Sequence, residues 1–228
     1  MAQPPSKRSS SQEIQQFLQQ SRAISQFVEK QPRLLFAIDA TASRQPTRDT
    51  PCQLQREMFD ATASIATLAI QLCYYRGLND FFASPWLTDS ASLARQMAQV
   101  SCEGGHTQIA RLLRHALDEH RKLPIRALVF IGDALEENPD KLCQLAGQCG
   151  MRQLPLFLFQ EGGDATVRET FRSMAKVSRG AYARFDGSSA GTLSALLGAV
   201  AAYAAGGRAA LENNRSESAK LLLQQLNN

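Results

Sequence analysis

The stretch LLFAIDATASRQPT, residues 34–47, decides the fold. Residues 34–38 are apolar and of strand length, and they end in a single acid, Asp39. Two alanines then separate two hydroxyls, giving Asp39-Ala40-Thr41-Ala42-Ser43. On an extended or turning backbone, alternate side chains point the same way, so the oxygens of Asp39, Thr41 and Ser43 can converge on one point. A hard cation such as Mg²⁺ prefers oxygens arranged in that way.

Outward from this run, apolar strands alternate with helical periodicity. Residues 127–131 and 156–159 are continuous apolar strands, and 181–185 reads as another. Residues 54–75 read as one long helix, with Met58, Ile65, Leu68 and Leu72 on one face. Residues 81–83 and 86–87 flank Ser84-Pro85, which predicts two short strands joined by a turn. Pro85 confines that piece to a turn or an edge. Asp89 and Ser90 can cap a helix running to about residue 100. Further helices are expected over 107–120, 140–149, 167–177 and 193–204. Apolar strands alternating with helices imply a parallel sheet covered on both faces. The expected fold is therefore α/β and doubly wound, with a mostly parallel sheet of about six strands and one short antiparallel edge strand near Trp86.

Outside this core, residues 1–12 are polar and read as a flexible tail. Over 13–31, Ile14, Phe17, Leu18, Ile24, Phe27 and Val28 recur at helical spacing, which predicts an amphipathic helix. The main domain is expected over 33–205, followed by a helical extension over 206–228. Both terminal helices are open to packing on the domain or to docking a partner.

Composition narrows the function classes. The chain has 228 residues, 44% hydrophobic and 20% charged, enough for one α/β domain with tails. The net charge of +4 comes without a Lys/Arg block, so nucleic acid is not an expected partner. The five cysteines, Cys52, Cys73, Cys102, Cys143 and Cys149, form no C-x-x-C pair, which argues against a zinc site and for reduced thiols. No leader-like segment and no long apolar span are apparent. The expectation is a cytoplasmic protein without a membrane partner.

In open α/β sheets, ligands bind beyond the carboxyl ends of strands, where the strand order reverses. Asp39, Thr41 and Ser43 follow the first strand. Gly132-Asp133 follows the strand at 127–131, and Thr107 opens a helix behind Gly104-Gly105-His106. Taken in this order, these residues resemble the metal-ion-dependent adhesion site (MIDAS) of the von Willebrand factor A (vWA) family. The family pattern is D-x-S-x-S after the first strand, a later loop threonine, and an aspartate after the fourth strand. Thr41 stands where serine is commoner and offers the same hydroxyl. The resemblance implies a bacterial-type intracellular member with a doubly wound, Rossmann-like vWA fold. It implies that Asp39, Thr41, Ser43, Thr107 and Asp133 hold Mg²⁺ or Mn²⁺. It implies an adaptor-like role in which a partner protein's Asp or Glu completes the metal shell. His106 is expected on the rim, and His115 and His120 on solvated surface. Glu136 and Glu137 are expected either to shape the rim or to begin the next helix.

Two other readings compete. An aspartate after a strand, with Gly132-Asp133 after a later one, also resembles haloacid dehalogenase-like, Mg-dependent phosphohydrolases. Those need a second aspartate two residues after the nucleophile for acid/base work. Thr41 occupies that place, and Lys122 alone does not restore the motif, so no enzymatic activity is expected. The remaining alternative is a metal-free scaffolding vWA domain.

Overall fold

The computed structural model describes residues 15, 31–41, 68–185 and 190–226. The chain divides into two compact units, Met1–Gln31 and Pro32–Asn228. The tail and the amphipathic helix expected before residue 32 lie outside the described residues, apart from positions 15 and 31. So do Ser43 and the 54–67 part of the predicted long helix.

In the second unit, β1 (Arg33–Asp39) lies between β2 (Ala69–Arg76) and β4 (Ile125–Gly132), parallel to both. β5 (Leu156–Glu161) and β6 (Ala181–Phe185) continue the sheet in parallel. β3 (Asp80–Ala83) pairs antiparallel with β2 at the far edge. The order is β3-β2-β1-β4-β5-β6, so the winding reverses between β1 and β4. The sheet is mostly parallel, doubly wound, and carries one short antiparallel edge strand, as the alternation implies. The second short strand expected at 86–87 is reduced to a single antiparallel bridge between Leu87 and Ile70.

β2 corrects the sequence reading, which placed residues 69–75 in a helix. In the structure Ile70, Leu72 and Tyr74 join the core on one face of the sheet, and Cys73 and Tyr75 the core on the other. That is period-two alternation. Leu68 and Leu72 mimic helical spacing, but pairing along all of β1 overrides it.

The remaining elements are helices: α1 (Ser90–Met97), α2 (Ile109–Lys122), α3 (Pro139–Met151), α4 (Ala165–Val177), α5 (Ala190–Asn213) and α6 (Glu217–Leu226). α2, α3 and α4 pack on one face, against Leu35, Leu128, Phe130 and Leu158. α1, α5 and α6 pack on the other, against Phe36, Ile38, Val129 and Phe157. Asp89, Asn138 and Asp164 cap α1, α3 and α4 with side-chain oxygens, each satisfying amides that the helix leaves unpaired.

By length and composition alone, residues 191–213 of α5 could cross a membrane. Leu193, Leu196, Leu197, Val200 and Ala204 are buried on the sheet, however, and the helix breaks at Gly206–Gly207. These are the marks of a core helix. α6 buries Ala219 and Leu222 in the same cluster. Its Gln225 amide bonds both the N–H and the C=O of Tyr182, at 2.9 and 2.8 Å, and so occupies the outer edge of β6 at that residue.

Candidate metal centre

The strand order reverses between β1 and β4, and the residues that follow these strands meet at the carboxyl end of the sheet. Ile38 pairs with Ile131, so Asp39 and Gly132-Asp133 leave their strands side by side. Asp39 is 0% exposed. Its Oδ1 accepts the Thr41 N–H at 2.8 Å and the Thr41 hydroxyl at 2.7 Å. Its Oδ2 accepts the Tyr75 hydroxyl at 3.1 Å. Burial pushes the Asp39 carboxyl above its ordinary value. The Thr41 hydroxyl and N–H pull it back, and the negative charge of Asp133 pushes it up again.

Thr41 is also buried, and its backbone continues the line of β1. Ala40 N–H bonds the Tyr75 carbonyl, Glu103 N–H bonds the Ala40 carbonyl, and Thr41 forms a bridge with Glu103. The Thr107 loop is held against the same corner. His106 N–H bonds the Gly77 carbonyl, and a Cβ on Gly105 would lie 1.8 Å from that oxygen. Only glycine permits this approach.

Thr107 is buried and tied to the loop that carries Asp133. Its N–H donates to Glu136 Oε2 at 2.9 Å, and its Oγ1 accepts the Glu136 N–H at 3.1 Å. Glu137 accepts from the first amides of α2, Ile109 N–H and Ala110 N–H, the latter at 2.9 Å. The expected helix start at Thr107 is therefore displaced. α2 begins at Ile109, Gln108 makes no side-chain cap, and Glu137 supplies the cap from another loop. Burial raises the Glu137 carboxyl above its ordinary value, while the Ala110 and Ile109 amides and the Thr107 hydroxyl pull it down. The two glutamates thus clamp α2 and do not begin α3, which starts at Pro139.

Of the five expected ligands, the structure brings Asp39, Thr41, Thr107 and half-buried Asp133 to one end of the sheet. Ser43 lies outside the described residues. His106 is exposed, with Nδ1 3.0 Å from Glu136 Oε2. His115 is not on solvated surface. It is half-buried, bonds Gln71 at 2.9 Å and meets the Phe81 ring edge-on, and burial lowers its pKa. His120 accepts the Ile125 N–H at Nδ1 and bonds the Arg152 carbonyl through Nε2. Tyr75 escaped the sequence reading because its strand was read as helix; the available signal was the β-prone run Ile70 to Tyr75.

Among the described residues, no three His, Cys, Asp or Glu side chains group to hold a metal ion. A cation at this corner would rest on two carboxylates and several hydroxyls. The donor set fits one. The Thr41 hydroxyl donates its proton to Asp39, so its oxygen is the atom a cation would meet. Every donor is a hard oxygen, the set that suits Mg²⁺ or Mn²⁺ over softer ions.

The architecture is that of a vWA domain. No known family matches the sequence, and no curated protein matches it. Solved structures do match. The VWA domain of SpRpn10 aligns with a TM-score of 0.53 and 13% identity, over 68% of this chain and 88% of that one. The vWF domain of the type V pili tip protein Mfa5 from Porphyromonas gingivalis aligns at 0.56 and 10%, over 74% and 93%. Proximal thread matrix protein 1 from the mussel byssus, with a zinc-occupied MIDAS motif, aligns at 0.54 and 14%, over 74% of this chain and 44% of that one. At these identities the likeness establishes the fold.

Proposed function

We propose that this chain is a metal-dependent protein-interaction module, without enzymatic activity, in which Asp39, Thr41, Ser43, Thr107 and Asp133 hold Mg²⁺ or Mn²⁺. One observation carries the reading. A wholly buried carboxylate, Asp39, feels the charge of a second acid, Asp133, at the topological switch point, and the Thr41 hydroxyl is bonded to it there. A divalent cation relieves the repulsion between two such carboxylates. When bound, it would offer an electrophilic position to an acidic group of a partner. The chain's own residues hold and orient. Thr41 and Tyr75 fix the Asp39 oxygens, and Glu136 and Glu137 lock the Thr107 loop to the Asp133 loop. The zinc-occupied MIDAS of the mussel protein supports the metal by analogy of fold. Against a phosphohydrolase, Asp39 faces the Thr41 hydroxyl where a second carboxylate would have to act.

Calorimetry with Mg²⁺ and Mn²⁺ tests the proposal. The wild type should bind, more tightly when an acidic peptide is present, and Asp133→Ala should lose binding at least tenfold. Equal binding by both proteins would remove Asp133 from the site. No binding by the wild type, with or without the peptide, would favour a metal-free scaffold.

A further inference from the structure

The pole opposite Asp39 is where β4, β5 and β6 begin and α2, α3 and α4 end. The three helices lie side by side on one face of the sheet, and their ends touch. His120, near the end of α2, bonds the carbonyl of Arg152 just past α3, at 3.0 Å. A Cβ on Gly150 would fall 2.2 Å from the Val177 carbonyl oxygen, so the end of α3 seats directly on the end of α4. Along this seam Arg121, Lys122, Arg152, Lys176 and Arg179 are all exposed. The segments 118–122, 150–153 and 176–180 contain two acids, Asp118 and Glu119, and both are paired, with Arg121 and Lys122. Among the described residues, no carboxylate lies within ion-pair distance of Arg152, Lys176 or Arg179. Met151, 79% exposed, and Val177, 44% exposed, stand between these cations.

Cations near helix C-termini complement the dipole, and scattered exposed apolar residues are common. Neither fact accounts for the whole seam. Three helix ends contribute roughly −1.5 charges, less than the excess of five cations over two acids. Arg179 has a φ of 60° and Gln153 a φ of 61°, positions just past α4 and α3 where glycine would be unstrained. Long polar side chains are kept at strained backbone on the outermost rim of this pole.

We propose that this pole docks peripherally on an anionic lipid surface. The arginine and lysine side chains would reach the headgroup phosphates, and Met151 and Val177 would enter the boundary between headgroups and acyl chains. A bilayer fits better than an acidic protein because the cations are spread over three helix ends, about 8–10 Å from one to the next. A continuous charged plane requires no matching spacing. Peripheral docking needs no apolar span, so it departs from the membrane-free expectation without contradicting the reason for it.

The test is co-sedimentation of the full chain with vesicles of phosphatidylcholine alone, or with one third phosphatidylglycerol, in EDTA and low salt. Chelation keeps the outcome independent of the candidate metal centre. Sedimentation should require phosphatidylglycerol and fall with salt. Arg152→Glu with Lys176→Glu should weaken it at least tenfold, because each basic residue at such a surface is worth roughly fivefold. Met151→Ser should weaken it several-fold, with no change in melting temperature in either variant. Wild type that ignores the anionic vesicles, or a charge-reversed variant that sediments equally well, would overturn the proposal. So would wild type that binds polyglutamate or duplex DNA but not vesicles.

Discussion

The two poles of the sheet are made from the same βα units and carry opposite chemistry. At the carboxyl end of the strands, α2, α3 and α4 begin, and their unpaired amides recruit oxygen acceptors: Asn138, Asp164 and, for α2, Glu137. Asp39 and Asp133 sit among them. At the amino end, those three helices finish, and exposed cations gather there. The direction of the parallel unit thus sorts charge before any function is specified. What differs beyond charge is burial. Asp39, Thr41, Tyr75 and Thr107 are enclosed and held by named hydrogen bonds, whereas Arg152, Lys176 and Arg179 stand in solvent. Single substitutions should therefore matter much more at the carboxyl pole.

Gly105→Ala is the severest test of that contrast. The new Cβ would meet Gly77 backbone at 1.8 Å, and backbone cannot swing aside as a flexible side chain can. Either the Thr107 loop or the β2–β3 turn must move. Overpacking of this kind should cost about 3 kcal/mol, read from the denaturant midpoint, and weaken Mg²⁺ binding as Thr107 shifts. Unchanged stability would mean that the two loops are not locked together.

Asp39→Asn follows, with an effect that depends on metal and pH. Burial raises the folded-state carboxyl above 3.8. Its contribution to stability is whole below pH 3.8 and is lost as pH rises through the raised folded value. Asparagine stays neutral, still accepts from Thr41, and can turn its NH₂ toward the Tyr75 oxygen. Without divalent metal, the variant should melt at or above the wild type at pH 7, and the gap should close below pH 3.8. With Mg²⁺ at a hundred times its dissociation constant, the wild type should gain about 2.7 kcal/mol and the variant nothing. Equal stabilisation of both proteins by metal would place the ion elsewhere.

How much of this was legible in the sequence depended on how local each signal was. β1, β4 and β5 are enclosed by neighbours on both faces and both edges, so they read as continuous apolar runs. Asp39, Thr41 and Asp133 follow such runs directly, and Thr107 is flagged by Gly104-Gly105. β2 was not legible, because Leu68 and Leu72 also satisfy a helix. With it went Tyr75, whose bond to Asp39 spans 36 positions. The work of Glu137 was hidden for the same reason. Its partners lie 27 and 28 residues upstream, on a helix whose start the chain does not mark with a capping side chain.

The smallest expected effect lies at the amino pole and runs the other way. The carboxyl pole places glycine where the backbone takes positive φ: Gly77 at 55° and Gly162 at 80°. The turns that close α3 and α4 at the amino pole use Gln153 at 61° and Arg179 at 60° instead, whereas the break in α5 uses Gly207 at 66°. Gln153 is exposed, and the bond that matters for its turn, from its own N–H to the Gly150 carbonyl at 3.1 Å, belongs to the backbone. Replacing it with glycine removes left-handed strain of about 1–2 kcal/mol and adds back part of that as unfolded-chain entropy. Gln153→Gly should therefore stabilise the domain by about 0.5–1 kcal/mol, a rise of roughly 1–4 °C in melting temperature. A loss of stability would mean that the Gln153 side chain carries packing at the α3–β5 turn, and that this pole is built as tightly as the one around Asp39. A gain would mean that stability is being forgone where the side chains face outward, the condition under which the seam of Arg152, Lys176 and Arg179 is free to serve as a docking surface.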